Sequence, residues 1–318
     1  MAFSGTSTTS LSKMMQEYYE KRFLLRVENE MVAEQFGQQK PLPLYSGKTI
    51  RFQRYKNLSP QTTALTEGTL PSVTELSSED VTATVAEYGT YTKVSRLVSK
   101  TALDPEIAGA VDIFGYNAAR TRDRQIINVI GAYGTDQFTK SATNISELTN
   151  ISDYVITTAE VRKALKTLRK NTAPLGESGY YMGIMSPEVE YDLEGDSDWV
   201  TAARYEGSTQ LFKGEIGKWM GVRFVRSTEV YTQNLTGGAD YDAGGVFTTH
   251  IFGRDAYGIV PLGKGKPQIY VKEPGPGDTS QPIPRYHTVG WMGTYTQVVL
   301  NANFLVNIKS RATGETSA

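Results

Sequence analysis

The residues that could carry chemistry are few, and their spacing argues against catalysis. Two histidines occur, His250 and His287. An imidazole acting as general base needs a carboxylate to hold its tautomer and a hydroxyl or water within reach, and neither histidine has such partners nearby in sequence. Both read as structural or surface residues. The densest run of carboxylates is Glu188, Glu190, Asp192, Glu194, Asp196 and Asp198. Oxygen ligands at alternate positions suit a calcium loop, but the glycine at the sixth position and the closing glutamate are missing, so metal binding is not expected. The stretch GKGKP from Gly263 lacks the Lys-Ser/Thr ending of a phosphate-binding loop and no helix follows it. GGADYDAGG, residues 237–245, reads as a flexible turn. Cysteine is absent, which removes disulfides, thiolate ligation and thiol nucleophiles and fits a reducing cytoplasm. No nucleotide, flavin or metal cofactor is expected. A chain of 318 residues without a catalytic constellation serves as structure or scaffold more often than as an enzyme.

Charge offers two candidate surfaces instead. With 33 Lys and Arg against 34 Asp and Glu, the net charge of −1 excludes a large uncompensated basic field of the kind that grips nucleic acid. A local basic face remains, formed by Arg162, Lys163, Lys166, Arg169 and Lys170 in TTAEVRKALKTLRKN. Val161, Leu165 and Leu168 supply the apolar stripe of that predicted helix. The basic side could meet phosphate, or it could be the solvated side of an ordinary amphipathic helix. The second surface lies in residues 46–98. Its first limb carries Lys48, Arg51, Arg54 and Lys56; the connector carries Glu67, Glu75, Glu79 and Asp80. These charges could pair across subunits or stand solvated on a ribbon.

The elements that position these residues are mixed helix and strand. Residues 1–10 are small and hydroxylated and read as an arm. A helix is expected over 11–36, then a strand in KTIRFQRY, then a polar connector over 57–78. VTATVAEYGTYTKVSRLV is rich in β-branched and tyrosine residues and reads as one long strand pairing back on the first. Two strands with such a connector are only marginally stable alone, so the hairpin needs a neighbour. Asp104, Pro105 and Glu106 carry the signals of a helix start, and apolar residues from Ile107 to Ile130 predict a helix over 104–132, the spine of the chain. Its charged middle, Arg120, Arg122, Asp123 and Arg124, is expected to face a neighbouring subunit or nucleic acid. Alternating strands and short helices over 155–262 predict a compact α/β domain. Long strands return in PQIYVKE and TVGWMGTYTQVVLNANFLVNIKSR. No basic and apolar leader of a secretory signal is present, and no apolar run spans a bilayer, so no membrane partner is expected.

The order of these parts resembles the HK-97-type coat protein of tailed double-stranded DNA phages. The likeness is carried by LTEGTLPSVTELSSEDVTATVAEYGTYTKVSRLV (65–98), GEIGKWMGVRFVRST (214–228) and VGWMGTYTQVVLNANFLVNIKS (289–310). The resemblance implies an α+β coat fold with an N-terminal arm and helix (1–45), an extended β-hairpin loop (46–98), a peripheral domain on the spine helix (99–154 and 263–318) and an axial domain (155–262). It implies a major capsid protein that assembles with itself as pentamers and hexamers into an icosahedral shell around DNA. Portal and a separate scaffolding protein would be its assembly partners, with a decoration protein a further candidate. Packaged DNA would be held by weak non-specific contact. The shell would be put together in the host cytoplasm and end in the virion. Inter-subunit contacts would fall on Arg51, Arg54, Lys56, Glu67, Glu75 and Glu79. The other readings are an encapsulin-like nanocompartment, which shares the fold but encloses protein cargo, and a soluble enzyme or carbohydrate-binding module using the acidic run and tyrosines.

Overall fold

A computed structural model describes residues 8–56, 58–65, 67–68, 70, 73–97, 106–149, 153–176, 178–196, 198–199, 215–230, 232–233, 245–263, 265–272 and 285–313. Among the described residues the helices are α1 (Thr8–Glu30), α2 (Glu106–Tyr133), α3 (Thr158–Lys170) and α4 (Pro187–Glu194). The spine is α2: its 28 residues make a rod of ~42 Å. The start signals at Asp104 and Pro105 lie outside the described residues. The helix expected over 11–36 ends at Glu30, and a 3-10 turn at Ala33–Phe36 follows after a two-residue break.

Two large sheets lie on either side of the spine's apolar surfaces. The seven-stranded sheet runs β5 (Thr135–Phe138), β14 (Leu305–Ser310), β10 (Val246–Phe252), β6 (Tyr181–Met185), β8 (Val222–Arg226), β7 (Glu215–Trp219), with β9 (Thr232–Gln233) against β10. Strands β6, β10 and β14 are buried at every position, because both faces of the sheet are covered. On one face Ile251, Val306 and Phe224 meet Val161, Leu165 and Leu168 of α3 and Val189 and Leu193 of α4. On the other, Met182, Ile184 and Phe252 meet Ile126, Ile127 and Ile130 of α2. The expected axial segment, 155–262, supplies the centre of this sheet. The sheet also takes in β5 and β14 from outside that segment.

The five-stranded sheet is built on β13 (Tyr286–Val299). β4 (Ala86–Ser95) runs along one edge of it; β11 (Tyr257–Pro261) and β12 (Gln268–Lys272) share the other, and β1 (Gln38–Gln39) adds to β11. Alternation puts Ile269, Val289 and Trp291 on the face that meets Phe23 and Val27 of α1 and Val111, Ala118 and Ala119 of α2. Trp291 Nε1 donates to Asn117 Oδ1 at 3.0 Å, which satisfies the one polar atom of a buried indole.

The long strand expected from Val81 onward is two strands. β3 (Ser78–Thr84) pairs with β2 (Thr49–Tyr55), whereas β4 leaves that ribbon and pairs with β13 from Ala86↔Tyr295 to Ser95↔Tyr286. The change of partner falls at Val85. Its N–H donates to Lys48 O at 2.9 Å and closes the root of the hairpin, and its side chain joins Leu42, Phe52, Ala83 and Val260 in a small apolar cluster. β-Branched and tyrosine residues recur in both strands, and neither proline nor glycine falls at Val85, so no local turn signal marks the exchange.

Candidate functional site

The residues singled out for chemistry have separate structural duties. His250 is fully buried in β10, and burial pushes its pKa down to about 4, so the ring is neutral at ordinary pH. Its Nδ1 lies 2.8 Å from Asn307 Oδ1, and Asn307 Nδ2 donates to the carbonyls of Ile130 (3.1 Å) and Gly131 (3.2 Å). This satisfies carbonyls in the last turn of the spine, which have no helical partner of their own. His287 sits half-buried in β13, paired in register with Val94 of β4. The acidic run is similarly dispersed. Glu190 takes the Arg226 guanidinium in a fork (2.6 and 2.5 Å), Asp192 accepts from the Thr313 N–H (2.8 Å), and Asp198 faces Arg162 at 3.5 Å.

Asp196 caps α3 from outside the helix. Its Oδ2 accepts from both the N–H (2.9 Å) and the hydroxyl (2.8 Å) of Thr158, and the preceding Thr157 makes no side-chain cap of its own. Asp196→Ala is expected to destabilise the domain by about 1 kcal/mol, as loss of a cap does. Thermal melting checks it, and an unchanged midpoint would contradict the capping role.

Of the sequence in GKGKP, Gly263 and Gly265 take positive φ (61° and 68°) in the turn between β11 and β12. The Gly265 carbonyl accepts from Arg122 at 3.0 Å. GGADYDAGG lies outside the described residues except for Gly245.

Within the charged middle of the spine, Arg122 and Asp123 turn inward, contrary to the expectation that they face a neighbour or nucleic acid, while Arg120 and Arg124 stay partly exposed. Arg122 and Asp123 are 4% and 2% exposed. Arg122 pairs with Glu34 at 2.5 Å and lies over the Tyr295 ring at 4.8 Å. Asp123 accepts the N–H groups of Val32 (2.7 Å) and Ala33 (3.2 Å), at the break where α1 ends. Arg120 and Arg124 both reach Glu229, which is 4% exposed. The spine thus clasps the N-terminal segment at its break and the loop after β8. Neither Glu34 nor Glu229 has a spacing in sequence that marks it as the partner, which is why sequence reasoning missed both.

Burial pushes the Asp123 carboxyl up to about 7; the two N–H groups oppose this, and the nearby Glu34 and Glu229 add to it. An unfolded chain releases that proton near 3.8, so stability from this group is full below about 3.8 and lost as pH rises to about 7. The shift at His250 has the opposite sign and contributes stability that grows across about 4 to 6.5. Asp123→Asn removes only the first of these. The melting temperature of the variant relative to wild type is expected to rise from about pH 4 to about pH 8; a difference that stays constant with pH would rule the shift out.

The basic face of α3 is exposed at all five positions, Arg162, Lys163, Lys166, Arg169 and Lys170. Arg162 faces Asp198, Lys163 lies 3.8 Å from Glu160, and Arg169 donates to the Met220 carbonyl at 3.3 Å. In the hairpin, Arg51 lies 3.3 Å from Asp80, and Arg54 pairs with Glu79 and donates to the Leu300 carbonyl at 3.3 Å. These pairs are made within the chain. Lys56, Glu67 and Glu75 are exposed. Between the strands, residues 58–77 put Leu58, Leu65, Leu70, Val73 and Leu76 into solvent, with Leu70 and Val73 each 93% exposed. None of these five side chains joins an apolar cluster of the described residues.

Comparison with known proteins adds identity to this geometry. The family described as phage capsid protein matches residues 78–299. The capsid of Ralstonia phage GP4 superposes with a TM-score of 0.66 at 16% identity, covering 91% of this chain and 93% of that one. The capsid of cyanophage P-SCSP1u gives 0.64 at 15% identity, with 90% and 89% covered. A virus-like particle from Pyrococcus furiosus gives 0.53 at 10% identity, with 92% and 99% covered. No curated protein matches the sequence.

Proposed function

The chain belongs to the phage capsid protein family, and from that premise we propose that it is the major shell subunit, assembling as pentamers and hexamers into an icosahedral capsid around double-stranded DNA. The fold is the HK-97-type coat fold and the protein is a structural capsid protein. Its role is structural rather than catalytic. The observation that carries the assembly reading is the 58–77 connector, whose exposed leucines and valine have no core to join within the chain's described residues. Covered by an adjacent subunit, each apolar side chain would contribute about 1.5–3 kcal/mol, repeated at every copy of the contact. The family match over 78–299 favours a virion coat over a cargo-enclosing compartment of the same fold.

In this reading residues 46–98 are the extended loop, 99–154 with 263–318 the peripheral domain, and 155–262 the core of the axial domain. Lys56, Glu67 and Glu75 join Arg51, Arg54 and Glu79 at the contact with the neighbour. The exposed amines of Lys166 and Lys170 and their basic neighbours on α3 meet the packaged DNA weakly and without sequence preference. A separate scaffolding protein and a portal guide assembly in the host cytoplasm, and a decoration protein is a further partner.

The test is co-expression of the chain with and without the scaffolding protein, followed by negative-stain microscopy. Closed icosahedral particles with this chain as the dominant band are expected only in the scaffolded case. Absence of particles in both would refute the shell role, and uniform closed shells of genome-filled size from the chain alone would refute the need for a scaffold.

A further inference from the structure

The five-stranded sheet ends on a long open edge. β4 pairs with β13 from Ala86 to Ser95 in one unbroken register, and among the described residues no strand pairs with its other side. In an antiparallel ladder alternate residues turn their N–H and C=O groups outward, so about five residues of β4 present both groups unpaired. Sheets ordinarily blunt such an edge by shortness, proline or a bulge. AEYGTYTKVS is ten residues long and has neither proline nor bulge. Its sequence is also self-complementary. With a second copy of β4 antiparallel to it and a two-fold axis at Thr90, Glu87 faces Lys93 of the second copy, Tyr88 faces Thr92, Gly89 faces Tyr91, and Thr90 faces its own equivalent. Opposite charges, an aromatic with a β-branched residue, and Thr with Thr are cross-strand pairs that stabilise a sheet. Moving the axis to Gly89 or Tyr91 sets Glu87 against Tyr91 or Ser95 and loses the charge pair. Alternation against β13 places Glu87, Gly89, Tyr91 and Lys93 on one face, opposite Thr294, Met292, Gly290 and Thr288. All four are exposed, and among the described residues neither Glu87 nor Lys93 has an ionic partner. Gly89 has to be bare, because a Cβ there would strike the Trp291 carbonyl oxygen. The Tyr91 ring of the second copy, 67% exposed in the single chain, would cover that bare backbone.

We propose that β4 pairs edge to edge with β4 of a second copy about a two-fold axis at Thr90, so that two five-stranded sheets become one. The inference rests on the shell role and names the contact that this edge makes. Copies within a pentamer or hexamer meet head to tail, with different patches on their two sides, whereas a self-complementary edge requires a two-fold. The pairing therefore joins subunits of different rings. It supplies a contact between capsomers, made from the backbone groups of β4 and keyed by Glu87 and Lys93.

The axis can be tested with one substitution, because the chain has no cysteine and directly opposed side chains lie within disulfide reach. Thr90→Cys shells, oxidised and run on a denaturing gel without reductant, are expected to give a two-chain band. Thr92→Cys shells are expected to give none, since Thr92 faces Tyr88 and lies four residues, roughly 13 Å, from its own equivalent. Thr90→Cys shells without a two-chain band, or equal bands from both variants, would overturn the proposal. Charge reversal reads the same axis without a cysteine. Lys93→Glu, at an exposed position, is expected to leave subunit melting unchanged and to lower shell yield about tenfold while free rings accumulate. Adding Glu87→Lys restores opposite charges at both ends of the axis and is expected to restore the yield. A double variant as poor as the single one, or a single variant at full yield, would also overturn the proposal. If wild-type chains build no shells at all, the shell role itself fails, which is a separate result.

Discussion

Replacing residues 57–76 with Asn-Gly is expected to leave a folded subunit that builds no stable shell. The deletion is clean because the strands already meet at the excised segment: Tyr55 pairs with Ser78, and the Lys56 N–H donates to Ser77 O at 2.9 Å. A two-residue Asn-Gly turn has the twist that an antiparallel pair requires. Shortening the loop lowers its closure entropy, which favours the subunit by on the order of 1–2 kcal/mol. What disappears is the exposed apolar series from Leu58 to Leu76, which on the proposed reading acts between chains. Melting of the isolated subunit and negative-stain counting of particles separate the two effects. Shells at normal yield would show that the connector is dispensable.

Val161→Asp is expected to have the largest effect on the subunit itself. Val161 is 0% exposed in α3, and it sits in the cluster formed with Leu165, Leu168, Val189 and Ile308. A carboxylate there must either remain charged without a partner or take up a proton, and either costs on the order of 4 kcal/mol or more. Loss of that amount is a large part of the stability of an ordinary domain. Val161→Ala serves as the control for lost volume alone and should cost less. Calorimetry would decide, and a melting temperature equal to wild type would mean that the stripe read as buried is not.

How far the sequence discloses this protein depends on the range of the interaction. Helix α3 is legible because Val161, Leu165 and Leu168 repeat at the helical period, and α4 because Ser186 and Pro187 form a cap and first turn, with the Ser186 hydroxyl accepting from Val189 N–H at 3.3 Å. The spine is legible for the same reason. The change of partner at Val85 is not, since it depends on Lys48 and on a strand some two hundred residues later. The inward turn of Arg122 and Asp123 is hidden too. A charged run inside a helix ordinarily marks a solvent face, and only the meeting with Glu34, the Val32 and Ala33 amides and the Tyr295 ring offsets its desolvation. Of the candidate contact surface, the connector was legible from its composition as a segment that cannot bury itself.

The exchange of partners at Val85 also decides how the hairpin would bear force. A pull on the connector along β3 passes directly into β4, whose ladder with β13 runs from Ala86 to Ser95. Loaded along its length, that ladder is in shear, so its hydrogen bonds share the tension rather than unzipping one after another. The other limb, β2, leads back through Lys48 to a shorter parallel contact with β11, which runs from Gln38↔Gly258 to the bridge Leu42↔Leu262. The ribbon is therefore moored on one side by a cable and on the other by a short tether, and under strain the tether yields first.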